Sequence, residues 1–160
     1  MSKIFSAVLT ISDTRITSND VSGNKLAELL EDTGAEVSVR RIVSDNLEEI
    51  RDLLISIADR GDIDLIMTTG GTGFASRDNT PEATKAVITR EAPGLAEMMR
   101  LKTADKTPTA ILSRAVCGIR GKTLIINLPG SPKGVEECFE VIRPVLGHAI
   151  RLLSGDTRHS

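Results

Sequence analysis

The sequence predicts an α/β domain, a mostly parallel β-sheet with helices on both faces. Three observations carry this. Short apolar runs alternate with segments whose apolar residues recur at helical spacing. Runs such as Ile4–Ile11 and "DLIMTT" are apolar nearly throughout, as in strands covered on both faces. Glycine-rich loops follow some of these runs, at the strand ends where such sheets bind ligands. The chain has 160 residues, 40% of them apolar, and reads as one domain over residues 1–160.

Ile4–Ile11 is the first strand and ends in the polar loop Ser12-Asp13-Thr14-Arg15. In "SGNKLAELLEDTG", Leu26, Leu29 and Leu30 fall on one helix face, and Gly34 stops the helix. Val37, Val39 and the pair Ile42-Val43 make a second strand with one register irregularity. Leu47, Ile50, Leu54, Ile57 and Ala58 form the stripe of the next helix. Asp45 or Asn46 caps it, each with a Glu three residues on, and Gly61 ends it. "DLIMTT" is the third strand. Thr80-Pro81-Glu82 starts a helix, with a hydroxyl cap and Pro in the first turn, expected to reach about Arg90. Pro93-Gly94 breaks it and "LAEMMRL" resumes as another. Thr109–Cys117 and Leu124–Leu128 read as strands joined by "GIRGK". The last helix runs from Val135 to about Leu153 with Pro144 inside it, and the final six residues read as frayed.

Composition excludes several functions. A net charge of −2 argues against broad nucleic-acid affinity. With three Phe and no Tyr or Trp, the chain lacks stacking platforms for single strands. Cys117 and Cys138 lack metal-site spacing and read as buried small hydrophobes. His148 and His159 show no zinc spacing either, and His148 is expected at a surface or interface. "MSKIFSAVLTISD" is a strand rather than a signal peptide, and nothing approaches a membrane span. The cytoplasm is the default location.

The densest motif is "TTGGTGFASRDNTPEAT", residues 68–84. Glycine permits sharp turns and close approach, and successive amides can form an anion nest. Thr68, Thr69 and Thr72 add hydroxyls. Gly70, Gly71 and Gly73 are more than a plain turn requires. No Gly-x-Gly-x-x-Gly opens a helix after the first strand, so the dinucleotide fold is excluded. "GIRGKT" ends like a P-loop, but Val116 stands where its first Gly belongs and a strand follows. Asp78 lies just past the glycine run. A carboxylate beside a polyphosphate is repelled unless a cation mediates, which points to Mg²⁺. Pairing with Arg77 or capping the next helix is the structural alternative. Asp13, with Ser12, is either a ligand-edge residue or an Asx-turn. Asp45 has a complete structural role as a cap.

"INLPGSPKG", residues 126–134, is a second loop between strand and helix. Asn127 and Ser131 offer directional hydrogen bonds, Gly130 and Ser131 offer amides, and Lys133 offers charge. The alternative is a Pro-rigid connection with Ser131 or Gly134 as the cap. Ser113 and Arg114 form a polar pair in an apolar run. Arg114 either faces a phosphate or points to solvent.

"TISD", "TTGGTGFASRDNTPEAT" and "AILSRAVCGIRGKTLIINLPGSPKG" resemble the molybdenum-cofactor biosynthesis family, the molybdopterin-binding MogA/MoaB-like domain also found fused in gephyrin. The resemblance covers residues 4–153. It implies a three-layer α/β/α domain acting as a molybdopterin adenylyltransferase. ATP and molybdopterin would give adenylyl-molybdopterin and diphosphate, with Mg²⁺. It also implies a homotrimer, with an interface expected near Met98-Met99, and hand-over to a molybdate-insertion protein. Residue by residue, it makes Asp45 and Asp78 the catalytic, metal-handling pair, reversing the bare reading of Asp45. Gly70, Gly71, Thr72 and Gly73, with Thr69, become a phosphate loop. Ser12 and Asp13 match the opening motif. Asn127, Gly130, Ser131 and Lys133 become the second binding loop, beside Ser113-Arg114. Three positions depart from the family pattern: Ser76 and Ser44 replace prolines, and Asn79 replaces a hydrophobe. The rival is a non-catalytic or MoaB-like protein that binds molybdopterin or its precursor. An unrelated α/β nucleotide-binding protein is the more distant alternative.

Overall fold

The computed structural model describes residues 2–156. The strands are β1 (Phe5–Ile11), β2 (Glu36–Val43), β3 (Leu65–Thr69), β4 (Arg90–Glu91), β5 (Cys117–Arg120) and β6 (Thr123–Leu128). The helices are α1 (Val21–Asp32), α2 (Leu47–Ala58), α3 (Thr80–Val87), α4 (Pro93–Ala104) and α5 (Pro132–Leu153). The strands form one sheet in the order β2-β1-β3-β6-β5-β4. β2, β1, β3 and β6 run parallel, and β5 and β4 are antiparallel to their neighbours. The predicted mostly parallel, three-layer α/β/α architecture is therefore the one adopted.

The apolar runs explain the layering. In β1, Ala7, Leu9 and Ile11 face the core of α2 and α3, while Val8 faces that of α1, α4 and α5. Ile66 and Ile125 likewise point one way, and Leu65, Met67, Leu124 and Ile126 the other. A strand covered on both faces reads as a near-continuous apolar run, and the exceptions in these strands are buried and hydrogen-bonded, as Thr10 is to Asp20 and Asn127 to Thr68 and Thr84. The core is aliphatic apart from Phe139, which is fully buried.

The register irregularity of β2 is real, but it lies earlier than the sequence suggests. Ser6 pairs with Val37 and Ala7 with Val39, so Ser38 is the extra residue. The bulge turns Val37 to one face and Val39 to the other. Asn46, not Asp45, caps α2, its side chain accepting from the Glu49 N–H at 3.0 Å. Thr80 is not a cap: it is the first residue of α3, preceded by Asn79, and its hydroxyl donates to the Gly70 carbonyl at 2.9 Å. α3 ends at Val87 rather than near Arg90, because Arg90 and Glu91 pair with β5. Gly118 allows that pairing, since a Cβ there would lie 2.5 Å from Ile88 and 2.8 Å from the Arg90 carbonyl. Pro93 and Gly94 open α4 instead of interrupting a helix.

The expected strand over Thr109–Cys117 is the largest correction. Pro108–Leu112 forms a 3-10 turn, residues 113–116 are irregular, and β5 begins at Cys117. Ile111 and Leu112 are exposed, and the Arg114 N–H bonds the Thr72 carbonyl rather than a strand. "GIRGK" accordingly belongs partly to β5, with the turn at Gly121-Lys122. Pro144 is accommodated within α5. His159 and most of the frayed tail lie outside the described residues.

The order β2-β1-β3 means that the crossover from β1 to β2 runs one way along the sheet and the crossover from β2 to β3 runs back past β1 the other way. Such a switch point opens a crevice beyond the C-terminal strand ends. The loops after β1, β2, β3 and β6 meet there.

Candidate functional site

Backbone conformation fixes the glycine loop. Gly70 (φ +103°) and Gly71 (φ +68°) occupy the left-handed region that L side chains avoid. Close approach also demands them. A Cβ on Gly70 would sit 2.5 Å from the Ile11 carbonyl, and one on Gly71 would sit 2.4 Å from Thr80 Oγ1 and 3.3 Å from Asp45 Oδ1. A Cβ on Gly73 would sit 2.9 Å from Asp78 Oδ2. The glycine content thus lets Asp45, Asp78 and Thr80 close on the loop as well as shaping a cradle. The Gly70 N–H bonds the Leu128 carbonyl. The N–H groups of Gly71, Thr72 and Gly73 donate to no acceptor among the described residues. Successive unengaged amides of this kind form an anion-binding concavity.

The second loop lies against the first. A Cβ on Gly130 would be 3.4 Å from the Gly70 Cα, and the Thr69 hydroxyl donates to the Pro129 carbonyl at 2.7 Å. Ser22 at the start of α1 donates its hydroxyl to the Gly130 carbonyl. Ser131 caps α5 by accepting from the Gly134 N–H at 3.0 Å. Among the described residues the Gly130 and Ser131 amides find no acceptor, and they lie at the N-terminus of this 22-residue helix, where its dipole favours anions. Both loops line one cavity of about 500 Å³. Met99, Arg100 and Thr103 of α4, the Pro108–Leu112 turn and Cys138 close its far side.

The three aspartates converge on the same edge. Asp13 and Asp45 clasp each other: Asp13 N–H donates to Asp45 Oδ2 at 2.9 Å, and Asp45 N–H to Asp13 Oδ1 at 3.1 Å. Arg77 holds Asp13 through two bonds, Nε to Oδ2 at 2.5 Å and Nη2 to Oδ1 at 2.9 Å. This lowers the Asp13 pKa. Asp45 moves the other way. Burial raises its pKa, and the charge of Asp13 and, less strongly, that of Asp78 add to the effect. Asp78 Oδ2 accepts from the Ala75 N–H at 3.0 Å. Asp45 and Asp78 each keep Oδ1 free of any hydrogen bond among the described residues. Carboxylate oxygens beside unengaged backbone amides are the donor type Mg²⁺ takes, one or two carboxylates with phosphate and water completing its shell; among the described residues no group of three or more His, Cys, Asp or Glu is placed to hold a metal by itself.

Other sequence candidates are placed differently. Asn127 is fully buried and committed: its amide donates to Thr68 and Thr84, and its oxygen accepts from the Val116 N–H. It holds the cavity floor together. Ser12 Oγ accepts from the Thr14 and Arg15 N–H groups, shaping the loop before the first helix. Lys133 is exposed at the cavity mouth, 3.8 Å from Glu137. Ser113 lines the cavity. Arg114 is half-buried and committed to protein oxygens rather than extended into solvent. It donates to the Gly73 carbonyl at 2.8 Å and the Asp78 carbonyl at 2.7 Å, and it pairs with Glu82. Burial raises the Cys138 pKa to about 11 and that of Cys117 to about 12, so neither is a thiolate near neutrality.

Sequence reasoning missed Ser22, Thr80 and Asn79 as site-builders. Asn79 Nδ2 donates to the Asp45 carbonyl at 2.8 Å, tying the two aspartate loops together. Its standing where the family often has a hydrophobe was the available signal. The α4 wall of Met99, Arg100 and Thr103 had no local signal, because α4 reaches the cavity only through folding.

The description "Probable molybdopterin binding domain" belongs to a family model that matches residues 7–148. "Molybdenum cofactor synthesis protein cinnamon" of Drosophila melanogaster is 45% identical over 159 residues, but this chain spans only 26% of its length. A "Molybdopterin adenylyltransferase" of Helicobacter pylori is 42% identical, covering 98% of this chain and 91% of its own. The crystal structure of the molybdopterin biosynthesis enzyme MoaB from Thermus thermophilus superposes with a TM-score of 0.88 at 47% identity, covering 95% of this chain and 97% of that one. With its parallel sheet, its paired loops and these likenesses over nearly its whole length, the chain belongs to the MogA/MoaB-like family of molybdenum-cofactor biosynthesis proteins.

Proposed function

We propose that this protein is a molybdopterin adenylyltransferase, transferring the adenylyl group of ATP to molybdopterin with Mg²⁺. One observation carries the reading. Unengaged amides of Gly71, Thr72 and Gly73, and of Gly130 and Ser131, border a single cavity that Asp78 also lines. Two anion cradles facing one space suit a reaction between two phosphorylated substrates.

The reaction needs no side-chain nucleophile. A phosphate oxygen of the pterin bonds to the α-phosphorus of ATP, the bond from that phosphorus to the β-bridging oxygen breaks, and diphosphate leaves. Catalysis then rests on alignment and on neutralising charge. The two loops hold the phosphates in register. Lys133 at the mouth offsets negative charge. Asp45 and Asp78 would hold Mg²⁺ through their free oxygens, and the bound ion neutralises triphosphate charge. The Asp13–Arg77 pair fixes Asp45 from behind.

A second reading is a MoaB-like protein that binds molybdopterin or its precursor without transfer, and the likeness to the Thermus thermophilus protein favours it. Incubation with molybdopterin, Mg²⁺ and α-labelled ATP separates the two. Labelled adenylyl-pterin is expected, and Asp78→Asn should lower its rate at least ~100-fold with pterin affinity little changed. Pterin binding without labelled product would favour the second reading.

The proposal includes a homotrimer. A second, apolar groove of about 720 Å³ runs between α4, α5 and the β4–β5 pair, bordered by exposed Met98, Val145 and Leu152. Met99, by contrast, is buried against the ligand cavity, so of the pair expected at an interface only Met98 faces the groove. The adenylylated product would pass to a molybdate-insertion protein.

A further inference from the structure

We infer that Arg114 is a positioning residue that locks Asp78 onto the glycine loop, rather than a ligand for phosphate. The inference rests on the proposed adenylyl transfer for its functional consequence but not for its structural part.

Residues 73–78 form a short excursion that begins and ends at the cavity. Both ends are held by one side chain. Arg114 Nε donates to the Gly73 carbonyl at 2.8 Å, and Nη2 donates to the Asp78 carbonyl at 2.7 Å. Nη1 pairs with Glu82, in the first turn of α3. The backbone adds a fourth tie, from the Arg114 N–H to the Thr72 carbonyl at 2.8 Å. Inside the bracket, Asp78 N–H donates to the Ala75 carbonyl at 2.9 Å, and Ala75 N–H returns to Asp78 Oδ2 at 3.0 Å. This leaves Asp78 Oδ1 without a hydrogen bond among the described residues.

The fork geometry explains the choice of residue. A guanidinium presents rigid, planar donors that can span two carbonyls, whereas an ammonium acts as a flexible point charge. The Glu82 pair is half-exposed and contributes little alone. The two carbonyl bonds do the holding. Each of its three nitrogens is engaged by a protein oxygen, and among the described residues Arg114 is not one of those lining the two-loop cavity. Its neighbour Ser113 lines the cavity, so the bracket is anchored in the wall that the ligand touches.

Two measurements on Arg114→Ala and Arg114→Lys test this. By hydrogen exchange, the Ala75 and Asp78 amides should exchange at least ~10-fold faster in both variants, with Ile66 and Ile125 in the sheet unchanged. In the adenylyl-transfer assay, kcat should fall ~100-fold while KM for ATP stays within about threefold, and Lys should not rescue. Glu82→Gln, which keeps both carbonyl bonds, should show at most a small fraction of either effect. Unchanged exchange at Ala75 and Asp78 would overturn the bracket. A rise in KM with kcat preserved would make Arg114 a phosphate ligand and overturn the positioning role. Should the wild-type protein transfer no adenylyl group, the proposed function fails, while the exchange experiment still decides whether the bracket exists.

Discussion

Burial and the facing charge of Asp13 raise the Asp45 pKa from its ordinary value. The thermodynamic sign follows from linkage. A carboxyl whose folded pKa is raised contributes stability below its unfolded value and loses it as pH rises through the folded value. At neutral pH the ionised Asp45 therefore burdens the fold. Asp45→Asn should raise Tm at pH 7 by about 1–3 °C, and the gain should fade as pH falls toward 4. Thermal unfolding across that range checks it, and an unchanged or lowered Tm at pH 7 would contradict the account. The same variant should lose adenylyl transfer. Asp13 has the opposite sign, because the Arg77 hydrogen bond lowers its pKa. Its contribution is present above the unfolded value and is lost as pH falls through the folded one. A destabilising carboxylate retained beside one that is neutralised is what a charge-handling site requires.

The glycine loop shows how an element can be over-determined by its surroundings. Gly71→Ala must adopt φ +68° and place a Cβ against Thr80 Oγ1 and Asp45 Oδ1. A destabilisation of about 1–3 kcal/mol is expected, with Asp45 displaced. Gly94→Ala is the internal comparison. It lies in the first turn of α4, and its Cβ would meet nothing within 4 Å, so its effect should stay within about 0.5 kcal/mol. Urea unfolding of the pair measures the contrast, and equal effects would mean that the loop tolerates side chains. The helix boundaries make a related point. Asn46 rather than Asp45 caps α2, which releases the Asp45 side chain to meet Asp13. Thr80 gives up the cap role to hold the Gly70 carbonyl. At Thr80 the long-range partner outweighs the local rule, because an unsatisfied polar group at a buried loop costs more than a weaker cap.

The molecule has two faces with different tasks. The strand-end crevice gathers both loops and the aspartates. The α4–α5 groove is apolar and lies elsewhere on the surface. α4 separates them, with Met99 and Thr103 toward the cavity and Met98 and Leu95 toward the groove. If the groove receives another copy of the chain, Val145→Glu should shift the sedimenting species from trimer to monomer. The strand-end cavity, which Val145 does not line, should remain intact. A trimer that persists would place the interface elsewhere.

The layering was legible because it depends on a local property. A strand buried on both faces must be apolar at consecutive positions, and a helix packed on one face must repeat its apolar residues near every third or fourth position. Ile4–Ile11, "DLIMTT" and the stripes of α1, α2 and α5 all show this. The glycine loop and its aspartates were also visible as residue types at strand ends. Their partnerships were not. Asp13 meets Asp45 across 32 residues, Arg77 reaches Asp13 across 64, and Arg114 reaches Gly73 across 41. The 3-10 turn at Pro108–Leu112 was misread for the same reason. Its apolar residues suit a strand, but no neighbouring strand is there to pair with it, and Arg114 instead bonds the Thr72 carbonyl. Periodicity along the chain follows from what each residue buries, so the sequence carries it. Which donor meets which acceptor follows from where the sheet order brings distant loops, and that is settled only once the strands have packed.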